Sequence, residues 1–236
     1  GVNDFSGVRG ITFRSGDSYH TTPPRQLIED LDSLPMPAYD LMPMHLYGTS
    51  KYLFSPGGTT IHHSRGCVSN CRFCAWWLQM AQPEEKEGET VFRPRWRTKS
   101  VPKVMDEIRE LATKYNKRCL VFVDEFWNRD PAWSEEFADA MIGADFGRVE
   151  WFAFMRADAV IRDEKNGILE KLVRSGLVHV AIGVERVEGD ELKKMGKGFY
   201  SKDKAVECFS ILKNKYPGVF RQGTFVVGVC EETRES

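Results

Sequence analysis

Three cysteines, Cys67, Cys71 and Cys74, stand within eight residues of one another in "HHSRGCVSNCRFCAWW", directly behind a short apolar run and ahead of two tryptophans. Thiolates are soft ligands that suit both zinc and iron-sulfur chemistry, so the number of ligands decides more than their type. A structural zinc ion is almost always closed by four Cys or His ligands. A cubane iron-sulfur cluster can be held at three irons with the fourth left open to a substrate or cofactor. Closure of a zinc site would need His62 or His63. On a strand those two side chains point to opposite faces, so at most one could face the metal; the plainer reading makes both ordinary barrel or capping residues. Cys119, in an apolar strand pattern, and Cys208, flanking an apolar helix face, read as inert core thiols, and Cys230 reads as packing near the end of a strand.

A second group of polar residues recurs where apolar runs end: Asp124 and Glu125 in "VFVDEFWN", Arg156 and Asp158 in "FAFMRAD", Glu185 in "IGVERVEG", and Glu231 with Glu232 in "VVGVCEET". In a parallel barrel, chemistry sits at the carboxyl ends of the strands. Carboxylates there can accept from ammonium and hydroxyl groups, and an arginine fork can pair with a carboxylate. The stretch "RPRWRTK" sets Arg93, Arg95, Arg97 and Lys99 around Trp96 and could grip a phosphate or nucleic acid. With a formal net charge of -1 the chain has no overall field for a polyanion, which favours a solvated insertion face.

These groups must be positioned by a regular scaffold. Near-continuous apolar runs at 59–64, 119–123, 150–155, 178–184 and 223–229 predict five strands of a parallel sheet buried on both faces. Between them, core-facing spacings predict helices through Val104–Ile108–Leu111–Tyr115, Trp133–Phe137–Met141, Ile168–Leu169–Leu172–Val173 and Ala205–Phe209–Leu212–Tyr216. Ser201 is placed as an N-cap and Gly176 as the residue after a helix end. Strand-helix alternation implies right-handed crossovers in an open sheet or a barrel. The connection 65–118 is far longer than a crossover needs, and long connections usually carry function. Residues 1–57, punctuated by proline and glycine, read as an extended connector with one short helix near 26–31.

The chain has 236 residues, 42% hydrophobic and 12% aromatic, enough for one sizeable core. No apolar run approaches the roughly 18–20 residues of a membrane span, and the start has no leader pattern, so a cytoplasmic protein is expected. Six cysteines without an export signal argue against a disulfide framework. A start on Gly1 and an end in "EETRES" suggest a segment of a longer protein.

The spacing C-x3-C-x2-C with Phe73 before the last cysteine resembles the radical S-adenosylmethionine (SAM) superfamily. The resemblance implies an α/β fold with a partial parallel (β/α) barrel over 58–236, truncated so that its C-terminal part, including a sixth strand, lies beyond Ser236. It implies an oxygen-sensitive 4Fe-4S cluster on Cys67, Cys71 and Cys74, with Phe73 against the adenine of SAM. Asp124 and Glu125 fall where the family's Gly-Gly-Glu motif holds the amino group, without its glycines, which leaves open which acid makes the contact. Arg156, Glu185 and Gly228 resemble further SAM-binding positions; no residue is assigned to the chemistry on the substrate. "GVRGITFR" and "LDSLPMPAYDLMP" resemble the connector between a cobalamin-binding domain and the radical SAM barrel, making 1–57 an interdomain linker. The D-x-H-x-x-G signature of that domain is absent, as expected downstream of it. The implied cofactors are then the cluster, SAM, and cobalamin held mainly outside this segment. The implied partners are a small-molecule substrate and an electron donor such as flavodoxin or ferredoxin, with no nucleic acid. The implied activity is a cobalamin-dependent methyltransferase, with a radical cyclase or rearrangement enzyme as the runner-up and a zinc-stabilised binding module as the reading from a different class.

Overall fold

The computed structural model describes residues 5–48 and 57–228. Its centre is a five-stranded sheet of β1 (Gly58–Ile61), β2 (Cys119–Phe122), β3 (Glu150–Met155), β4 (Leu177–Glu185) and β5 (Phe220–Phe225), ordered β5-β4-β3-β2-β1 with every neighbouring pair parallel. All five expected strands are therefore present, consecutive and adjacent, and among the described residues the sheet does not close on itself. Helices α1 (Val101–Thr113), α2 (Pro131–Ile142), α3 (Ala157–Lys165), α4 (Ile168–Arg174), α5 (Gly189–Lys194) and α6 (Lys202–Lys215) follow the strands. Ser100, Asp130 and Ser201 cap α1, α2 and α6 by accepting from backbone N–H groups of the first turn. Gly176 follows α4 with φ +109°, where a Cβ would lie 2.2 Å from the Val149 carbonyl.

Alternation along β3 buries Trp151, Ala153 and Met155, while Phe154 on the other face stays exposed. Trp151 joins Phe122, Trp127, Trp133 and Phe137 in an aromatic core whose rings meet largely edge to face. The second face is open at Phe154 and at Val123, just past β2, whereas β4 is buried on both faces, as its apolar run suggested.

Three boundaries differ from expectation. The apolar run 59–64 breaks after Ile61, and Ser64–Gly66 pairs instead with Trp96–Thr98, antiparallel, because Asp124 draws the His63 and Ser64 N–H groups out of the ladder. Strand β5 starts at Phe220 rather than 223: parallel pairing to β4 recruits the polar Arg221 and Gln222, and Val227 lies 80% exposed past the strand end. The helix expected near 26–31 is only a 3-10 turn at Leu31–Ser33, capped by Asp30. The connector is nevertheless anchored. Tyr39 and Met44 enter the main core, Tyr39 Oη donates to Glu107 at 2.6 Å, and Lys117 Nζ donates to the Met44 and Tyr47 carbonyls at 2.7 Å each. The long connection after β1 also holds a hairpin, Gln82–Lys86 with Glu89–Arg93.

Candidate metal centre

The cysteine loop leaves the Ser64–Gly66 strand at the carboxyl end of β1, and all three of its thiols are free and half-buried. Its shape is set by backbone contacts. Cys74 N–H and Trp77 Nε1 both donate to the Cys71 carbonyl, at 3.1 and 3.0 Å, and Ser69 N–H donates to Cys67 Sγ at 3.4 Å. Arg72 N–H reaches the Met195 carbonyl at 2.9 Å. Gly196, at φ +75°, lets this second loop come close: a Cβ there would sit 3.6 Å from Cys71 Cα.

The strand ends surround this loop unequally. Asp124 is fully buried, and its Oδ1 accepts from His63 N–H at 3.0 Å and from Ser64 N–H and Oγ at 2.6 Å each. Glu125 is half-buried and accepts from the Gly66 N–H at 3.1 Å, one residue before Cys67. From the end of β3, Arg156 donates to Ser69 Oγ at 3.1 Å and to both oxygens of Asp158. At the end of β4, Glu185 adopts φ +65° and accepts from Lys197 Nζ at 3.0 Å, which also donates to the Gly183 carbonyl at 2.5 Å. Gly228 follows β5 at φ +86°, with open space where a Cβ would stand. Phe73 is 41% exposed at the loop's end. The structure thus brings Glu125, Arg156 and the Glu185–Lys197 pair to the loop, while Asp124 is buried at its root. Cys230, Glu231 and Glu232 lie outside the described residues.

Electrostatics follow burial. Desolvation pushes the Cys71 thiol up, and the Lys197 charge opposes it. Burial raises Glu125 and lifts Asp124 to about 6 despite its hydrogen bonds. His63, enclosed against Trp133 with ring centroids 3.9 Å apart, is driven down to about 3. It is a neutral core imidazole 3.5 Å from Asp124, as the plainer sequence reading has it. His62 lends its carbonyl to Lys99 at 2.8 Å.

A pH dependence arises from this pair. Below 6.5 the unfolded chain protonates His63 and the folded one does not, so stability drains as pH falls towards 3. Asp124 acts oppositely: its folded value lies above 3.8, so its contribution is full below 3.8 and is lost as pH rises to about 6. Between about 4 and 6 the slopes cancel. Asp124→Asn is expected to remove that compensation and steepen acid destabilisation by up to ~1.4 kcal/mol per pH unit, read from urea midpoints. A wild-type pH profile in this variant would refute the assignment.

The basic stretch is accounted for internally. Arg93 pairs with Glu84 and Arg95 with Glu29, Arg97 donates to the Ile28 carbonyl, and Lys99 is buried against Glu107. Arg95 and Arg97 thereby tie the insertion to the N-terminal segment.

Among the described residues no three His, Cys, Asp or Glu side chains converge on a point as ligands of one metal ion. A cubane asks for something else, one thiolate at each of three irons, so its thiolates stand apart around a cluster. Three soft donors on one loop, without a fourth, fit that demand in number and type.

Residues 61–236 match the radical SAM superfamily. The chain belongs to the radical SAM superfamily. The chain is 28% identical over 98% of its length to the uncharacterized methyltransferase PH0819 of Pyrococcus horikoshii, and spans 45% of that protein. It is 25% identical over 97% of its length to the anaerobic magnesium-protoporphyrin IX monomethyl ester cyclase of Cereibacter sphaeroides, and spans 34% of it. The chain therefore spans less than half the length of these relatives. Among solved structures, the radical SAM fold matches the cobalamin-dependent enzyme OxsB with aqua-cobalamin and S-adenosylmethionine bound, with a TM-score of 0.68 at 17% identity over 93% of this chain and 29% of that one. It also matches the radical SAM methyltransferase TsrM of Kitasatospora setae, with a TM-score of 0.58 at 16% identity over 75% of this chain and 32% of that one. No helix among the described residues is long and apolar enough to cross a membrane.

Lys197 and Ser69 border the cysteine loop and escaped the sequence reading. No spacing marks either; a lysine between two glycines in "MGKGF" was the one available cue.

Proposed function

We propose that Cys67, Cys71 and Cys74 hold a 4Fe-4S cluster whose open iron takes SAM, and that the protein is a cobalamin-dependent radical SAM methyltransferase. The carrying observation is a three-cysteine loop at the carboxyl end of a five-stranded parallel sheet, bordered by groups from the ends of β2, β3 and β4. Bound there, the cluster supplies the electron that splits SAM to a 5′-deoxyadenosyl radical.

The chain's own residues bind and orient. Glu125 is the acid of choice for the SAM ammonium, since Asp124 is committed at the root of the loop. Glu185, held by Lys197, is the acid at the end of β4 for the ribose hydroxyls, and the Lys197 charge lies beside Cys71. Phe73, exposed, is free to lie on the adenine, and Gly228 offers backbone beyond β5. On the open face, Val123 and Phe154 present exposed apolar side chains against which a small molecule would pack.

Cobalamin is assigned to a domain outside this segment and the reducing electron to a flavodoxin or ferredoxin, in the cytoplasm, where free cysteines persist. The likeness to a named methyltransferase and to two cobalamin-containing structures supports this reading. Radical ring closure is the second reading, favoured by the likeness to the cyclase; methylated against cyclised product from cobalamin-supplied enzyme separates the two. Anaerobic reconstitution is expected to yield about four irons and four sulfides per chain, and Cys71→Ala to lose them. Stoichiometric zinc without sulfide would overturn the cluster.

A further inference from the structure

The guanidinium of Arg156 is more fully engaged than a waiting cofactor ligand should be. Its plane lies between two aromatic rings, with Cζ 3.9 Å from the Phe199 centroid and 4.7 Å from that of Phe126. Its Nε and Nη2 donate to the two oxygens of Asp158 at 2.9 and 2.7 Å, a bidentate fork of the strong kind. To receive the carboxylate of SAM on that edge, Arg156 would have to release Asp158.

The remaining Nη1 points elsewhere. It donates at 3.1 Å to Ser69 Oγ, and the Ser69 N–H donates at 3.4 Å to Cys67 Sγ. Arg156 is itself fixed at its base, its N–H donating to Asn128 Oδ1 at 3.2 Å. An unbroken line of contacts therefore runs from the end of β3 to one of the three thiols. Hydrogen bonds to ligand sulfurs are among the levers that set an iron-sulfur potential, because they withdraw charge and stabilise the reduced cluster.

We propose that Arg156 is a positioning residue for the cluster: through Ser69 it holds the amide that donates to Cys67, and so raises the cluster's reduction potential, instead of binding the SAM carboxylate. The assignment rests on the cluster proposed above. Asp158 belongs to the same device, since it orients the fork so that Nη1 faces the loop. Ser69→Ala keeps the amide but removes its anchor, which makes it the milder probe.

The test is an anaerobic redox titration of full-length protein without SAM, followed by electron paramagnetic resonance, with SAM affinity measured separately. Ser69→Ala and Arg156→Met are both expected to shift the midpoint to more negative potential and to alter the spectrum at near wild-type iron content. The double variant should shift no further than the larger single one, as two links of one chain require. Wild-type midpoints and spectra in both variants, with SAM binding weakened about ten-fold or more in Arg156→Met alone, would return Arg156 to the role of cofactor ligand. Ser69→Ala tests the link even if Arg156→Met folds poorly: an unshifted midpoint in that variant overturns the proposal. Wild-type protein that takes up no iron and sulfide would remove the cluster reading itself, and this inference with it.

Discussion

Gly66→Ala is expected to destroy the cysteine loop, costing about 4 kcal/mol or more in stability and abolishing iron uptake. Gly66 precedes Cys67 at φ +90°, and a Cβ on it would stand 2.1 Å from the carbonyl oxygen of Arg95 and 3.3 Å from Met80 Cβ. The oxygen is backbone, of the residue just before the partner strand Trp96–Thr98, so no side-chain rotation relieves the overlap. Either the pair separates or the Gly66 N–H leaves Glu125, and both displace Cys67. Gly88→Ala is the control. It lies at a similar φ of +83° in the turn of the Gln82–Lys86 hairpin, but nothing approaches within 4 Å. It should cost only the conformational term of roughly 1–2 kcal/mol and leave iron content unchanged. Denaturant midpoints and iron analysis of both variants check this; equal losses at the two sites would show that close approach is not what Gly66 provides.

Asp124→Ala is expected to destabilise the protein by on the order of 3–5 kcal/mol without touching the SAM contacts directly. Its Oδ1 receives three donors, His63 N–H, Ser64 N–H and Ser64 Oγ, in a site closed to water. Each buried donor left unpaired costs about 1–3 kcal/mol, and the serine hydroxyl can partly relieve itself by rotating. The loss falls where the chain turns from β1 into the cysteine loop, so iron uptake should decline along with stability. Glu125→Gln retains a carbonyl acceptor for Gly66 and should change stability by under about 1 kcal/mol while weakening SAM binding. Asp124→Ala of wild-type stability but impaired SAM affinity would reverse the roles given to the two acids.

The difference between these adjacent acids marks where sequence reading ends. Strand positions were legible because each apolar run is a local pattern, and the helix faces because their spacings repeat within a few residues. The proposed cluster site rests on the same kind of signal: three thiols spaced over one loop carry their chemistry in a stretch of eight residues. The start of β5 was not legible, because Arg221 and Gln222 join the sheet through pairing with β4 rather than through any apolar signal of their own. The basic stretch looked like a free cationic surface until Glu29, the Ile28 carbonyl and Glu107 were seen to occupy it. Asp124 and Glu125 share one motif, yet one is enclosed by residues 60 and 61 positions earlier and the other faces the loop. Arg156 meets Ser69 across 87 residues. Residue type and local period travel with the chain, whereas the partner that commits a charge or leaves it free is brought from far along the sequence, and only packing decides which one arrives.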